Sequence, residues 1–179
     1  YAKNHLVPFG EYKPLPIITE RLYKMMDMPL ADFQKGGDNQ APLTMKDQKV
    51  AFNICYEDGF GDELIATAKR STLLANISNM AWYGKSNAMY QQLQQSQARA
   101  MELGRYMVRA TNTGATAIIS PKGTIVAEAQ PDTETVLEGH VKGYIGETPY
   151  MKAGGSTWLI SILAVIGVFL ILIGRKKPE

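Results

Sequence analysis

Apolar and polar positions change period several times along this chain, and each change predicts an element. KVAFNIC, residues 49–55, is a nearly continuous apolar run of β type, the pattern of a buried strand. STLLANISN, 71–79, repeats it. Between them GDELIATAKR, 61–70, carries acidic residues in its first turn and basic ones in its last, the polarity a helix dipole favours. SNAMYQQLQQSQARAMELG, 86–104, predicts a long helix stopped by Gly104, with a Gln-rich face expected to be solvated surface. RYMVRATNTG, ATAIISPKG, TIVAEAQ and TVLEGHVKG read as short strands divided by Gly and Pro turns. Upstream, ITERLYKMMDMP predicts a short helix, with Thr19 as N-cap, Leu22, Met25 and Met26 on one side and Pro29 as the stop. ADFQKGGDNQAP is a polar, Gly-rich loop. Strand–helix–strand–helix followed by a β-meander predicts an α/β layered domain rather than an all-β barrel.

The last periodicity is no periodicity at all. TWLISILAVIGVFLILIG, 157–174, has no charged residue and is apolar on every face. As a helix it spans roughly 27 Å, close to the hydrocarbon thickness of a bilayer. Trp158 marks one end and RKKPE the other. A buried core helix is the alternative, but such helices keep a polar face over this length, so a membrane span is the better reading. The positive residues place the 175–179 tail on the cytoplasmic side and residues 1–155 on the outer side. MKAGGS, 151–156, is the expected linker between a domain over 1–150 and the span over 157–174.

Charge adds little beyond that tail. The chain has 179 residues, 19 basic and 17 acidic. Arg175, Lys176, Lys177 and Glu179 lie in the tail, which leaves residues 1–174 with 16 of each sign. Nothing there forms the basic face that nucleic acid would need. The start, YAKNHLVPFGEY, has no initiator Met or signal peptide and reads as the middle of a domain, as in the C-terminal piece of a longer protein.

The chain's one cysteine, Cys55, ends the first apolar strand and precedes a turn into a helix. A strand end holds a side chain rigidly, and the backbone N–H groups beyond it can stabilise an oxyanion. Free cysteines are also among the most buried residues in proteins, and on Cys55 alone a core role is favoured. A metal site is not expected, because His5 and His140 lie far apart without ligand spacing. Both histidines are read as structural. Neither GGDNQ nor FGDE has the spacing or lysine of a phosphate loop. Lys3 and Glu11, close in sequence, ordinarily make a surface pair of little weight.

Those features read differently together. KNHLVPFGEY, followed by a strand ending in NICYE, resembles the carbon–nitrogen hydrolase (nitrilase) superfamily, and most of all its membrane branch, the apolipoprotein N-acyltransferases. ISNMAWYG (77–84), QARAMELGRYMVRATNTGATAIISPKG (97–123) and YIGETPY before a terminal membrane helix extend the resemblance over essentially the whole chain. The resemblance implies a partial nitrilase-like αββα sandwich followed by one C-terminal transmembrane helix, with a Glu–Lys–Cys triad. Cys55 matches the nucleophile and Lys3 the oxyanion-stabilising lysine. Glu11 matches a second carboxylate near both. Tyr56 and Glu57 match the pair that shapes the pocket, and Trp82 falls in a segment lining it. The base glutamate belongs to a segment upstream of Tyr1. Asp58 is left as a turn or helix-entry residue. Two positions depart from the family pattern: Met80 stands where NDAWFG has its acid, and YQQLQQ lacks an early helix histidine. Both are expected to alter substrate contacts.

The implied chemistry is acyl transfer through a Cys55 thioester, from a membrane phospholipid donor to the amine of an S-diacylglyceryl-cysteine lipoprotein. It needs neither cofactor nor metal, and it belongs on the periplasmic side of a bacterial inner membrane. A nitrilase-like amidohydrolase acting on a small amide and an inactive truncated homologue are the competing readings.

Overall fold

The computed structural model describes residues 1–15, Met25, 33–84 and 86–174. The helix expected over 18–29 lies outside the described residues, apart from Met25, which is helical. Six strands form one sheet in sequential order: β1 (Leu43–Met45), β2 (Gln48–Ile54), β3 (Leu73–Ser78), β4 (Met107–Thr111), β5 (Ala117–Ile119) and β6 (Ile125–Glu128). β2, β3 and β4 run parallel, joined by helices α1 (Gly61–Ala68) and α2 (Ala88–Leu103). The meander β4–β5–β6 and the hairpin β1–β2 are antiparallel. The described chain is therefore a mixed α/β sheet. The hairpin was not expected from sequence. Its two-residue turn places Lys46 at φ 55°, where Gly or Asn would have announced it.

The pleat sorts the residues. Ala51, Leu74 and Met107 are paired across adjacent strands and face the helices, where they meet Ile65 and Ala68 of α1 and Leu93, Ala100 and Leu103 of α2. Each fully buried Leu or Met here contributes about 1.5–3 kcal/mol. The opposite face carries Val50, Leu73, Ala75 and Phe52, and toward its far end Ile77 remains 51% exposed. Helices thus cover one face of the sheet.

Two further expectations change. α1 stops at Ala68, so Lys69 is its C-cap and the basic residues lie beyond the last turn. Residues 135–143 form no strand. They cross the sheet face near Val108 and Ile118, where a segment meets side chains rather than the free backbone groups of a strand edge. Residues 151–156, expected to link the domain to the apolar span, are held against the domain. A short helix, α3 (Pro149–Lys152), buries Met151 in the core, and Thr148 caps it. Arg105, buried, donates to the carbonyls of Ser71, Leu103 and Gly146, pinning the segment before α3 to the helix ends.

The apolar helix α4 (Thr157–Gly174) follows, with none of it buried. It is long and apolar enough to cross a membrane. Its base is fixed by Asp62 in the first turn of α1. Asp62 accepts from the Ser156 backbone N–H (3.1 and 3.2 Å), the Ser156 hydroxyl (2.5 Å) and the Tyr150 hydroxyl. Gly155 is required beside it: φ is +80° and a Cβ would collide with the carboxylate. The hydrogen bonds from Ser156 and Tyr150 hold the Asp62 carboxyl below its usual range.

Because these bonds are what hold residues 153–156 against α1, Asp62→Ala is expected to quicken tryptic cleavage after Lys152 by about tenfold, the equivalent of one lost hydrogen bond. In the wild type, sign follows from the lowered carboxyl. The tether's contribution is complete above the ordinary aspartate value and is lost as pH falls below it, through the carboxyl's lowered value. Unchanged digestion of the variant would show that the tether does not restrain the helix base.

Candidate active site

β2 ends at Ile54, and Cys55 opens a 3₁₀ turn, Cys55–Gly59, that leads into α1. Cys55 is half-buried and has φ +58°, the left-handed region, at a cost of roughly 1–2 kcal/mol for a residue other than glycine. Such a bend brings a strand-end side chain away from the core, and a thiol so placed can act as a nucleophile.

Glu57 explains why the N-terminal stretch lies against this turn. The carboxylate is 2% exposed and fully occupied. One oxygen accepts from the backbone N–H groups of Asn4 (2.6 Å) and His5 (3.0 Å). The other accepts from Ile54 N–H (2.6 Å) and the Tyr1 hydroxyl (3.1 Å). Tyr56 adds a second tie, donating its hydroxyl to the Leu6 carbonyl at 3.0 Å. Lys3 is thereby set beside the residue after Cys55, its ammonium 5.1 Å from the Tyr56 ring centroid. Lys3 also donates to both oxygens of Glu11, at 2.7 and 2.8 Å, and Glu11 accepts from Val7 N–H. With the lysine side chain only 10% exposed, this is not the solvent-screened surface pair that spacing alone suggests. Gly36 closes the arrangement: its N–H donates to the Lys3 carbonyl, and a Cβ there would strike the Ala2 carbonyl.

The other expected residues fall further out. Trp82 is 77% exposed on the 3₁₀ turn Ala81–Tyr83 after β3. His5 stacks on Phe60, ring centroids 3.8 Å apart, and meets Glu63 at 2.5 Å. His140 is exposed. A cleft of about 630 Å³, bordered by His5, Gly36, Asp38, Phe52, Phe60 and Glu63, includes Glu57 but neither Cys55 nor Lys3. Among the described residues no group of His, Cys, Asp and Glu could hold a metal ion.

Three readings are corrected beneath the turn. Asp58 is no simple turn residue. It is fully buried, paired with Arg109 at 3.3 Å and hydrogen-bonded by Ser96. The Gln-rich face of α2 is not wholly solvated, because Gln92 is buried and accepts from Arg109 at 3.0 Å. Met80 is 2% exposed, packed against Gly114 with its sulfur 3.9 Å from Arg109, so it fills the core rather than touching substrate. Arg109 itself, with Asn76, Asn53 and Ser96, escaped sequence reasoning. The available signal was polar residues interrupting the inward face of apolar strands, Asn53, Asn76 and Arg109 in direct register.

These features and the sequence matches agree. Residues 1–150 match the family model for carbon-nitrogen hydrolase, and the chain belongs to that family. Among its relatives, the apolipoprotein N-acyltransferase of Neisseria meningitidis serogroup B is 78% identical over 99% of this chain and 35% of that protein. The apolipoprotein N-acyltransferase of Chromobacterium violaceum is 54% identical over all of this chain and 35% of that protein. The chain thus spans about a third of the length of these relatives. The fold is similar to the C. elegans NitFhit protein, with TM-score 0.52 and 20% identity over 73% of this chain and 31% of that one. It is also similar to a carbon-nitrogen hydrolase from Helicobacter pylori, with TM-score 0.50 and 15% identity over 57% of this chain and 43% of that one.

Burial pushes the Asp58 carboxyl up to about 6, against the opposing pull of Ser96 and Arg109. The raised value means the folded state binds this proton more tightly than the unfolded chain. That contribution to stability is complete below the ordinary aspartate value of 3.8 and is lost as pH rises through about 6. Denaturant unfolding is therefore expected to show stability falling by on the order of 2–3 kcal/mol across that window. Asp58→Asn should flatten the dependence, and a slope that survives the substitution would assign it to another group.

Proposed function

We propose that this chain carries the nucleophile and oxyanion-stabilising lysine of an N-acyltransferase that moves an acyl chain from a membrane phospholipid to a lipoprotein amine. The relatives' shared name supports this reading. The observation that carries it is geometric. α1 begins two residues after the Cys55 turn, and its Asp62 holds the residue before α4, so one short helix follows the thiol's turn and anchors the apolar helix. Both proposed substrates are lipids confined to a bilayer.

In the first half-reaction the Cys55 thiolate attacks the ester carbonyl carbon of the phospholipid. A C–S bond forms, the ester C–O bond breaks, and lysophospholipid leaves carrying the proton that the base glutamate took from the thiol. Lys3 and backbone N–H groups after Cys55 stabilise the oxyanion. Glu11 aims the Lys3 ammonium through two hydrogen bonds, and Glu57 and Tyr56 shape the approach, with Trp82 on the exposed rim. In the second half the amine of an S-diacylglyceryl cysteine attacks the thioester. A C–N bond forms, the C–S bond breaks, and the amine proton passes to a base glutamate upstream of Tyr1. On this reading the domain lies on the periplasmic side of the inner membrane, with the C-terminus cytoplasmic.

Intact-mass analysis of the whole protein incubated with phospholipid tests the scheme. The wild type is expected to gain one acyl mass. Cys55→Ala should gain none. Lys3→Ala should acylate roughly 100–1,000-fold more slowly, the cost of one oxyanion donor. An adduct on Cys55→Ala, or an amide hydrolysed without any lipid adduct, would replace acyl transfer with another chemistry.

A further inference from the structure

The strained backbone of Cys55 has a partner that no motif marks. The Cys55 carbonyl accepts a hydrogen bond from the side-chain amide of Asn76, at 3.0 Å, from the adjacent parallel strand β3. Asn76 is fully buried, and each atom of its amide is used. Its nitrogen also donates to Asn53 Oδ1 at 2.5 Å. Its oxygen accepts from Arg109 Nη1 at 2.9 Å and from the Ser78 hydroxyl at 2.6 Å.

Arg109 fixes which way that amide points. A guanidinium has donors only, so the Asn76 atom facing it must be oxygen, and the NH₂ must face the Cys55 carbonyl. The guanidinium itself is held on every side. It donates to the Ala115 carbonyl after β4, to Gln92 and Ser96 of α2, and to Asp58 in the same turn as Cys55. The side chain is 1% exposed and cannot be reoriented without breaking several buried bonds at once.

We infer that Asn76 is a positioning residue for Cys55: anchored by Arg109, it clamps the nucleophile's carbonyl and holds its backbone in the left-handed conformation. The inference rests on the acyl-transfer reading of Cys55. Without the clamp, rotation of the Cys55 peptide toward an ordinary conformation turns the thiol and the following N–H groups relative to each other. An acyl carbonyl needs both in register, whereas alkylation by a small haloacetamide needs only the thiol. That difference separates a positioning role from a merely structural one.

The test uses the whole protein in detergent, with Asn76→Ala and Asn76→Asp. The aspartate keeps an oxygen toward Arg109 and Ser78 but presents an acceptor, not a donor, to the Cys55 carbonyl, and it serves if the alanine variant does not fold. Thioester formation with phospholipid is expected to slow by roughly 100-fold in either variant, while iodoacetamide alkylation of Cys55 stays within about threefold of wild type. Amide hydrogen exchange across residues 55–59 is expected to quicken. Acylation at the wild-type rate in Asn76→Asp overturns the inference. So does a loss of acylation and alkylation in equal proportion, the mark of a general collapse of the site. If the wild type itself forms no thioester, the acyl-transfer reading fails, and exchange alone decides: unchanged protection over 55–59 in both variants overturns the clamp.

Discussion

The arrangement around Cys55 depends on one buried carboxylate. Glu57 sits two residues after the thiol and receives four hydrogen bonds from three separate stretches of chain: Tyr1, Asn4 and His5, and Ile54. A carboxylate with this burial is tolerable only when its lone pairs are filled, and here they are. The same requirement makes the contact selective. Two consecutive backbone N–H groups of the 4–5 segment meet one Glu57 oxygen, so that segment is held at one place and Lys3 with it. The lysine reaches the thiol's neighbourhood through the backbone it is attached to, before any attraction between the side chains themselves.

Beneath the turn the logic is different. Arg109 and Asp58 form an ion pair with both side chains inaccessible, and such a pair is a poor source of net stability because desolvation consumes most of the Coulomb gain. Its value lies in direction. Five oxygen acceptors among the described residues hold the guanidinium, including an Asn that reaches the Cys55 carbonyl, and an apolar filling of equal volume could not fix that carbonyl's orientation. The sheet supplies the alignment at little cost, since Asn53, Asn76 and Arg109 occupy consecutive positions across β2, β3 and β4 on the face covered by α2. Asp58 Oδ1 has no hydrogen-bond partner in this network, which agrees with burial raising the carboxyl's proton affinity.

Much of this was legible in the sequence. The parallel strands, both long helices and the apolar span follow from period and capping, because each is decided by residues within a few positions of one another. What failed was decided elsewhere. Residues 135–143 have strand composition but meet a sheet face instead of an edge. Lys46 makes a hairpin turn without the residues that usually permit one. Lys3, Glu11, Tyr56 and Glu57 were found through a family pattern, and the structure brings these four together. Asp58, Asn76 and Arg109 carry no pattern of their own. Their polarity becomes meaningful only once three strands are laid in register and one face is closed by a helix, information that no local window contains.

The same closure explains where the site sits relative to the apolar helix. α1 must begin close to the Cys55 turn, because Ile65 and Ala68 have to reach the core under β2 and β3. Its first turn is consequently held near the thiol, and its exposed N-terminal end is where an acidic side chain meets free N–H and hydroxyl donors most favourably. Asp62 occupies that end and takes hold of Ser156 and Tyr150. The direction of α4 at its base is therefore set by a helix whose own position is dictated by core packing. The same helix α1 thus follows the Cys55 turn and anchors the base of the apolar helix through Asp62, while Lys3 is referred to that turn separately, through Glu57 and Tyr56.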